Sequence, residues 1–104
     1  MVFQLGSALL DVCVLAILAR QDSYGYSLTS ELKNVMSISE STLYPVLRRL
    51  QKEGLLTTYD QAYQGRNRRY YRITQEGVNR LREYQEEWRG FKAKLDRILE
   101  EGIK

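Results

Sequence analysis

The sequence predicts a mainly helical α+β fold with three helices, a two-stranded hairpin and one long closing helix. Three observations predict it. An apolar stretch from Val12 to Ala19 lies near the start, between Asp11 and Arg20. An amphipathic, basic segment beginning at Ser39 stops at Gly54 and leads straight into residues of strand character. Beyond Thr74, apolar residues recur at alternating spacings of three and four. With 104 residues, 43 % hydrophobic and 28 % charged, the chain has the composition of one small folded domain with a helix left over, not of a disordered one.

The first helix is expected from Ser7 to about Arg20. It is apolar on nearly every side, so it should be buried as the spine of the core, with part of it available to an oligomer contact. Gln21-Asp22-Ser23 reads as a turn in which Ser23 or Asp22 caps a second helix, Tyr24 to Val35, with Tyr26, Leu28 and Leu32 facing inward. Gly25 weakens that helix near its start, which implies close packing against a neighbour.

Ser39 is the natural cap of a third helix. Pro45 then falls inside it, removing one backbone hydrogen bond; a start capped by Thr42 would place Pro45 in the first turn and relieve the conflict. At about 100° per residue, Leu43, Leu47 and Leu50 fall together with Val46 beside them. Ser41, Pro45, Arg48 and Lys52 lie nearly opposite, flanked by Tyr44 and Arg49. Such a helix buries one side and offers the other to a polyanion, as a DNA recognition helix does.

Leu55–Gln61 and Arg69–Ile73 are expected strands, joined by a Gly-containing turn over residues 63–68. Alternation points Ile73 and Tyr71 inward. Three helices followed by a hairpin with a basic tip is the order of a winged helix-turn-helix. Thr74 caps the last helix, where Leu81, Tyr84, Trp88, Phe91, Leu95 and Ile98 form a heptad seam. A small winged domain has little surface left to cover that seam, so the seam calls for the same helix of a second chain. The expected organisation is residues 1–73 as the winged domain and 74–104 as the dimerisation helix, within one structural unit.

What is missing limits the chemistry. There is no His, and Cys13 is the single Cys. Zinc sites of the Cys/His type, catalytic triads and intrachain disulfides are excluded by inventory, and no cofactor or metal is expected. Glu83, Glu86, Glu87, Glu100 and Glu101 alternate with bases along one helix and read as a solvated face, so no enzyme is expected either. Cys13 reads as a small buried hydrophobe. The apolar run is far short of the roughly 20 residues that span a bilayer, and no leader is apparent, which points to the cytoplasm and away from membranes.

Charge is unevenly placed. Residues 1–32 carry one base against three acids, 33–73 carry eight against three, and 74–104 carry seven of each. The excess sits on one helix and one hairpin, as a nucleic-acid footprint does.

Tyr24-Gly25-Tyr26, Ser41-Thr42-Leu43-Tyr44-Pro45-Val46-Leu47 with Leu50, Glu53-Gly54-Leu55, and Arg69-Tyr70-Tyr71-Arg72-Ile73-Thr74 leading to Glu76-Gly77 together resemble the PadR family of bacterial transcriptional regulators. The likeness spans about residues 8–90. The short closing helix resembles the smaller of the family's branches. The resemblance implies a homodimeric winged-helix repressor, dimerised through its last helix with help from the first, on a palindromic operator. Some relatives respond to phenolic acids, and others bind flat aromatic drugs.

In that reading Ser41, Thr42 and Tyr44 donate hydroxyl hydrogen bonds to phosphates near the start of the recognition helix. Arg48 and Arg49 reach phosphate or guanine edges, Lys52 meets backbone, and Arg66 and Arg68 bring the hairpin tip to an adjoining minor groove or backbone. Trp88, with Tyr84 and Phe91, is the expected contact for a planar aromatic effector, because relatives stack such ligands on a Trp at the matching place. Two other classes fit the same residues: a winged-helix module for an acidic protein partner, and an aromatic-ligand carrier with no role on DNA.

Overall fold

The computed structural model describes residues 5–103. In chain order it contains α1 (Leu5–Arg20), β1 (Ser23–Tyr24), α2 (Gly25–Leu32), α3 (Glu40–Lys52), β2 (Leu56–Tyr63), β3 (Arg66–Ile73) and α4 (Gln75–Gly102). The strands form one antiparallel sheet in the order β1-β3-β2. The result is a winged helix-turn-helix with a third, two-residue strand and a long closing helix.

Since no side of its apolar stretch is polar, α1 has to lie inside. Val14, Leu15 and Leu18 are sealed in the core, and Val12, Cys13, Ala16 and Ile17 pack half-buried against it. Burial pushes the Cys13 thiol pKa up, which suits a packing residue and not a nucleophile.

The second helix departs from expectation at both ends. Ser23 and Tyr24 are extended and pair with Tyr71 and Tyr70 of β3, so neither Asp22 nor Ser23 caps α2. Tyr24 occupies the cap position without a capping side chain. The last turn ends at Leu32, and residues 33–36 close it with short-range backbone bonds. Tyr26 is 70 % exposed. It stands about 200° from Leu28 around the axis, so the inner face is instead Gly25, Leu28, Thr29 and Leu32. Gly25 lies where an added Cβ would sit 2.6 Å from the Tyr44 hydroxyl, the close packing its presence implied.

α3 starts after Ser39 and runs through Pro45. The Ser39 carbonyl accepts from both Thr42 and Leu43, a tightened first turn just ahead of the missing Pro45 donor. The helix ends in a Schellman motif. Leu55 N–H donates to the Leu50 carbonyl at 2.9 Å, and Gly54 N–H donates to the Gln51 carbonyl at 3.0 Å. Gly54 takes the required positive φ of 81°.

The wing is longer and its turn tighter than expected. Gln64 and Gly65 alone make the turn, with φ of 51° and 77°. Positive φ at both central residues is the type I′ pattern, whose twist matches that of paired strands. Pairing therefore extends to Tyr63↔Arg66 at the tip.

Thr74 caps α4 as expected, accepting from Gly77 N–H at 3.0 Å. Its hydroxyl donates to the Gly54 carbonyl at 2.7 Å, and its own N–H to the Leu55 carbonyl at 3.0 Å. One threonine thus joins the end of α3, the start of the wing and the start of α4. At about 1.5 Å per residue, the 28 residues of α4 carry it far beyond the body, consistent with a longest dimension of 59 Å.

Its first turns belong to the core. Leu81, expected to open the dimer seam, is 6 % exposed among the buried leucines, and Tyr84 packs against the same cluster. Further along, Leu95, Ile98, Leu99 and Ile103 are exposed. The solvated face carries the pairs Arg89–Glu86 and Lys92–Asp96. Glu87 departs from it, with one carboxylate oxygen buried. Among the described residues no helix is long and apolar enough to cross a membrane, and no cluster of His, Cys, Asp or Glu could hold a metal ion.

Candidate nucleic-acid interface

Burial of Leu43, Leu47 and Leu50 fixes which side of α3 faces outward. That side presents Ser41, Thr42, Pro45, Arg48 and Lys52, all exposed. At its start the hydroxyls of Ser39, Ser41 and Thr42 cluster, with Ser39 Oγ 2.9 Å from Ser41 Oγ and 3.3 Å from Thr42 Oγ1. Such hydroxyls reorient readily toward a phosphate at a helix N-terminus. Tyr44 is half-buried beside Gly25, and burial, with Glu40 nearby, raises its pKa.

An open cleft of about 890 Å³ separates α3 from the wing. Tyr44, Arg48 and Gln51 line one wall, and Asp60, Arg66, Asn67, Arg68 and Arg69 the other. Four arginines thus face one carboxylate, and Asp60 is engaged by Arg69 at 3.6 Å across the strand pair. Arg48, Lys52 and Arg66 form no ion pair among the described residues. A cleft with this excess of unneutralised cations attracts a polyanion from a distance and has donors for its oxygens.

Arg68 is held differently. Its guanidinium lies between two tyrosine rings, 3.9 Å from the Tyr24 centroid and 3.8 Å from that of Tyr63. It also donates weakly to the Tyr70 hydroxyl at 3.5 Å. The sandwich uses the ring faces and leaves edge donors available. Tyr70 is stacked on Tyr59 and meets Tyr24 edge-on, each at 5.5 Å. Asp22 closes this row by accepting from the Tyr59 hydroxyl at 2.7 Å and Arg72 Nε at 3.1 Å.

Two arginines near the cleft are tied to aspartates outside its lining: Arg72 to Asp22, and Arg49 to Asp11. Arg49 Nη2 lies 2.6 Å from Asp11 Oδ1, and Nη1 lies 3.4 Å from Glu53 Oε1. The structure sets Arg49 apart from the outward cations of α3, although the sequence alone groups it with Arg48. Ser41, Thr42, Tyr44, Arg48 and Lys52 share the α3 side, and Arg66 and Arg68 stand across the cleft. Sequence reasoning missed Gln51 and Asn67 as lining residues and Tyr24 and Tyr63 as the clamp on Arg68. Alternation along the hairpin carried the signal for Tyr63, because the register sets it on the same sheet face as Arg68.

On α4, the Trp88 and Phe91 rings lie 6.1 Å apart at 31°. Both are half-buried, far along the helix from the wing joint.

Comparison with known proteins agrees with this architecture. Residues 14–83 match the transcriptional regulator PadR-like family. A protein of Streptococcus mutans, smu.1704, has a crystal structure similar over 100 % of this chain and 98 % of its own, with TM-score 0.88 and 41 % identity. A PadR-like transcriptional regulator of Bacillus cereus is similar over 93 % and 97 %, with TM-score 0.84 and 32 % identity. The transcriptional regulator Rv3488 of Mycobacterium tuberculosis is 41 % identical across 66 residues, 62 % of each chain. An uncharacterised protein of Lysinibacillus sphaericus is 35 % identical over 96 residues, 88 % of each chain. With most of its core and the whole wing inside the matched segment, this chain belongs to the PadR-like family of transcriptional regulators, a family of regulators and not of enzymes.

Proposed function

We propose that the protein is a homodimeric repressor that grips a palindromic operator. α3 enters the major groove and the wing tip follows the adjoining minor groove or backbone. The observation that carries this is the unneutralised pair Arg48 and Arg66, lining one open cleft with the immobilised Arg68, together with the unneutralised Lys52 exposed one turn beyond Arg48 on α3. Residues 1–73 make the DNA-binding part, and 74–104 the dimerisation helix. Ser41, Thr42 and Tyr44 anchor phosphates at the start of α3, and Arg48 is the residue placed to read a base edge.

Dimerisation is supported by Leu95, Ile98 and Leu99, exposed on a helix that projects from the body. Two copies joined there present their recognition helices about 34–36 Å apart, one turn of DNA. Binding is tested by fluorescence anisotropy of a duplex over a salt series. The logarithm of affinity should fall linearly with that of salt concentration. Replacing Lys52 by Ala should shallow the slope by about 0.9 for the phosphate that is no longer neutralised, and replacing Arg48 by Ala should weaken the preference for operator over random duplex. Affinity indifferent to salt and to both substitutions would refute the reading.

Trp88 and Phe91, with Tyr84 nearby on the same helix, offer an aromatic surface for a planar effector near the subunit interface. A ligand there weakens operator binding only as far as it favours a spacing of the recognition helices that DNA does not accept. Quenching of Trp88 fluorescence by a planar aromatic compound, with parallel loss of DNA affinity, is the expected result. Quenching without any change on DNA removes the regulatory role.

A further inference from the structure

Asp11 is a carboxylate only 5 % exposed, set in the most apolar helix of the protein. A charge so placed demands a partner, since unpaired burial is strongly unfavourable. Among the described residues its one ion-pair partner is Arg49, at 2.6 Å, which reaches back from α3 and leaves the outer face to its neighbour Arg48. Consecutive helical residues differ by about 100° in direction, so one can bind α1 while the next faces outward. Asp11 holds the Arg49 guanidinium pKa higher still than its ordinary value. Glu53, one turn on, takes a second guanidinium nitrogen at 3.4 Å and steadies the fork.

Burial of the α3 leucines is a non-directional attraction, whereas a hydrogen-bonded ion pair between α1 and α3 has a set length and direction. A rotation of about 20° moves a side chain roughly 6 Å from the helix axis by about 2 Å, more than a hydrogen bond survives. Resting on the DNA-binding reading above, we infer that Arg49 is a positioning residue and not a phosphate ligand, its pair with Asp11 fixing the rotation of α3 on α1 so that Arg48 and Lys52 meet the groove. α1 also packs against α4, so the same pair links the recognition helix to the helix proposed to join the subunits.

The two roles of Arg49 predict opposite results for Asp11→Asn. If Arg49 binds phosphate, Asp11 only restrains it and adds negative charge near DNA, so its neutralisation leaves affinity unchanged or raises it. If the pair positions α3, neutralisation weakens selective binding. The test uses the full chain and two duplexes, one recovered by the wild-type protein from a random pool and one of random sequence, with circular dichroism confirming the folded state. The expected result is about tenfold weaker binding of the recovered duplex by D11N, random duplex bound as before, and an unchanged salt slope. Arg49→Met should give the same pattern, and the double variant should bind no more weakly than Arg49→Met alone, because both changes break one link.

If D11N does not fold, Asp11→Glu keeps the charge but displaces it by a methylene, and the same loss of selectivity is expected. Unchanged or tighter binding by the Asp11 variant overturns the inference, as does a slope reduced by about 0.9 in Arg49→Met. A lower melting temperature with unaltered affinity also overturns it, reducing the pair to a fold stabiliser. A wild-type protein that recovers no duplex at all sinks the DNA reading itself, a result distinct from these.

Discussion

Two glycines in α4 should respond oppositely to the same substitution. At Gly77 an alanine methyl would lie 2.3 Å from the Leu55 carbonyl oxygen and 2.6 Å from Ile73 Cγ1. Neither neighbour is free to yield. The Leu55 carbonyl accepts from Thr74 N–H at 3.0 Å, and Ile73 ends the central strand. Relief requires α4 to shift outward, straining the Thr74–Gly77 cap. Overpacking costs about 1–3 kcal/mol, and a strained cap costs about 1 kcal/mol, against about 1 kcal/mol regained in helix propensity. The net expectation for Gly77→Ala is a loss of about 2 kcal/mol.

Apart from its chain neighbours and the backbone of its own helix, Gly90 has nothing within 4 Å of an added Cβ. It points about 200° around the helix from Trp88, away from the seam. Gly90→Ala should therefore gain about 1 kcal/mol. For a chain of this size each kcal/mol moves the melting temperature by about 4–8 °C. Thermal unfolding at one fixed protein concentration, which holds any subunit equilibrium constant, should show Gly77→Ala melting about 10 °C lower and Gly90→Ala about 5 °C higher. Shifts of the same sign would refute the claim that α4 is seated on the base of the wing through an obligatory close contact.

Ile98→Glu with Leu99→Glu should yield a monomer in sedimentation, since both side chains are exposed in the isolated chain and burying each is worth on the order of 2 kcal/mol; a persistent dimer would move the interface to α1. Alkaline stability should report two tyrosines. The hydrogen bond to Asp22 raises the Tyr59 pKa, and burial raises that of Tyr44. Because both folded values lie above the ordinary tyrosine pKa of about 10, their stabilisation is complete below that pH and is lost as pH rises through the raised values. Denaturant unfolding that shows stability flat or rising across this range would contradict the assignment.

The helices were legible because burial imposes periodicity. The leucines of α3 and the unbroken apolar run of α1 leave one arrangement each, and Thr74 announces its cap by side-chain chemistry. β1 was not legible, since two residues carry no alternation and Tyr24 is extended only because Tyr70 of β3 offers it a pairing edge. The same pairing moved the start of α2. The wing turn looked longer than it is because positive φ at Gln64 is imposed by the hairpin's twist and not by residue type.

At the site, the outward face of α3 and the basic wing tip could be read from order and charge. The fates of Arg48 and Arg49 could not, because what separates them is Asp11, on another helix and 38 residues earlier in the chain. The clamp on Arg68 likewise depends on β1 and on hairpin register, both of them tertiary facts.

Duplex DNA lying against α3 and the wing is the premise on which the other roles depend. Selection of bound sites from a random duplex pool by the full wild-type chain probes it without intermediaries. Enriched inverted repeats with half-site centres about 10 base pairs apart, bound steeply less well as salt rises, are the expected outcome. A pool that emerges without enrichment, or retention insensitive to salt, would contradict it.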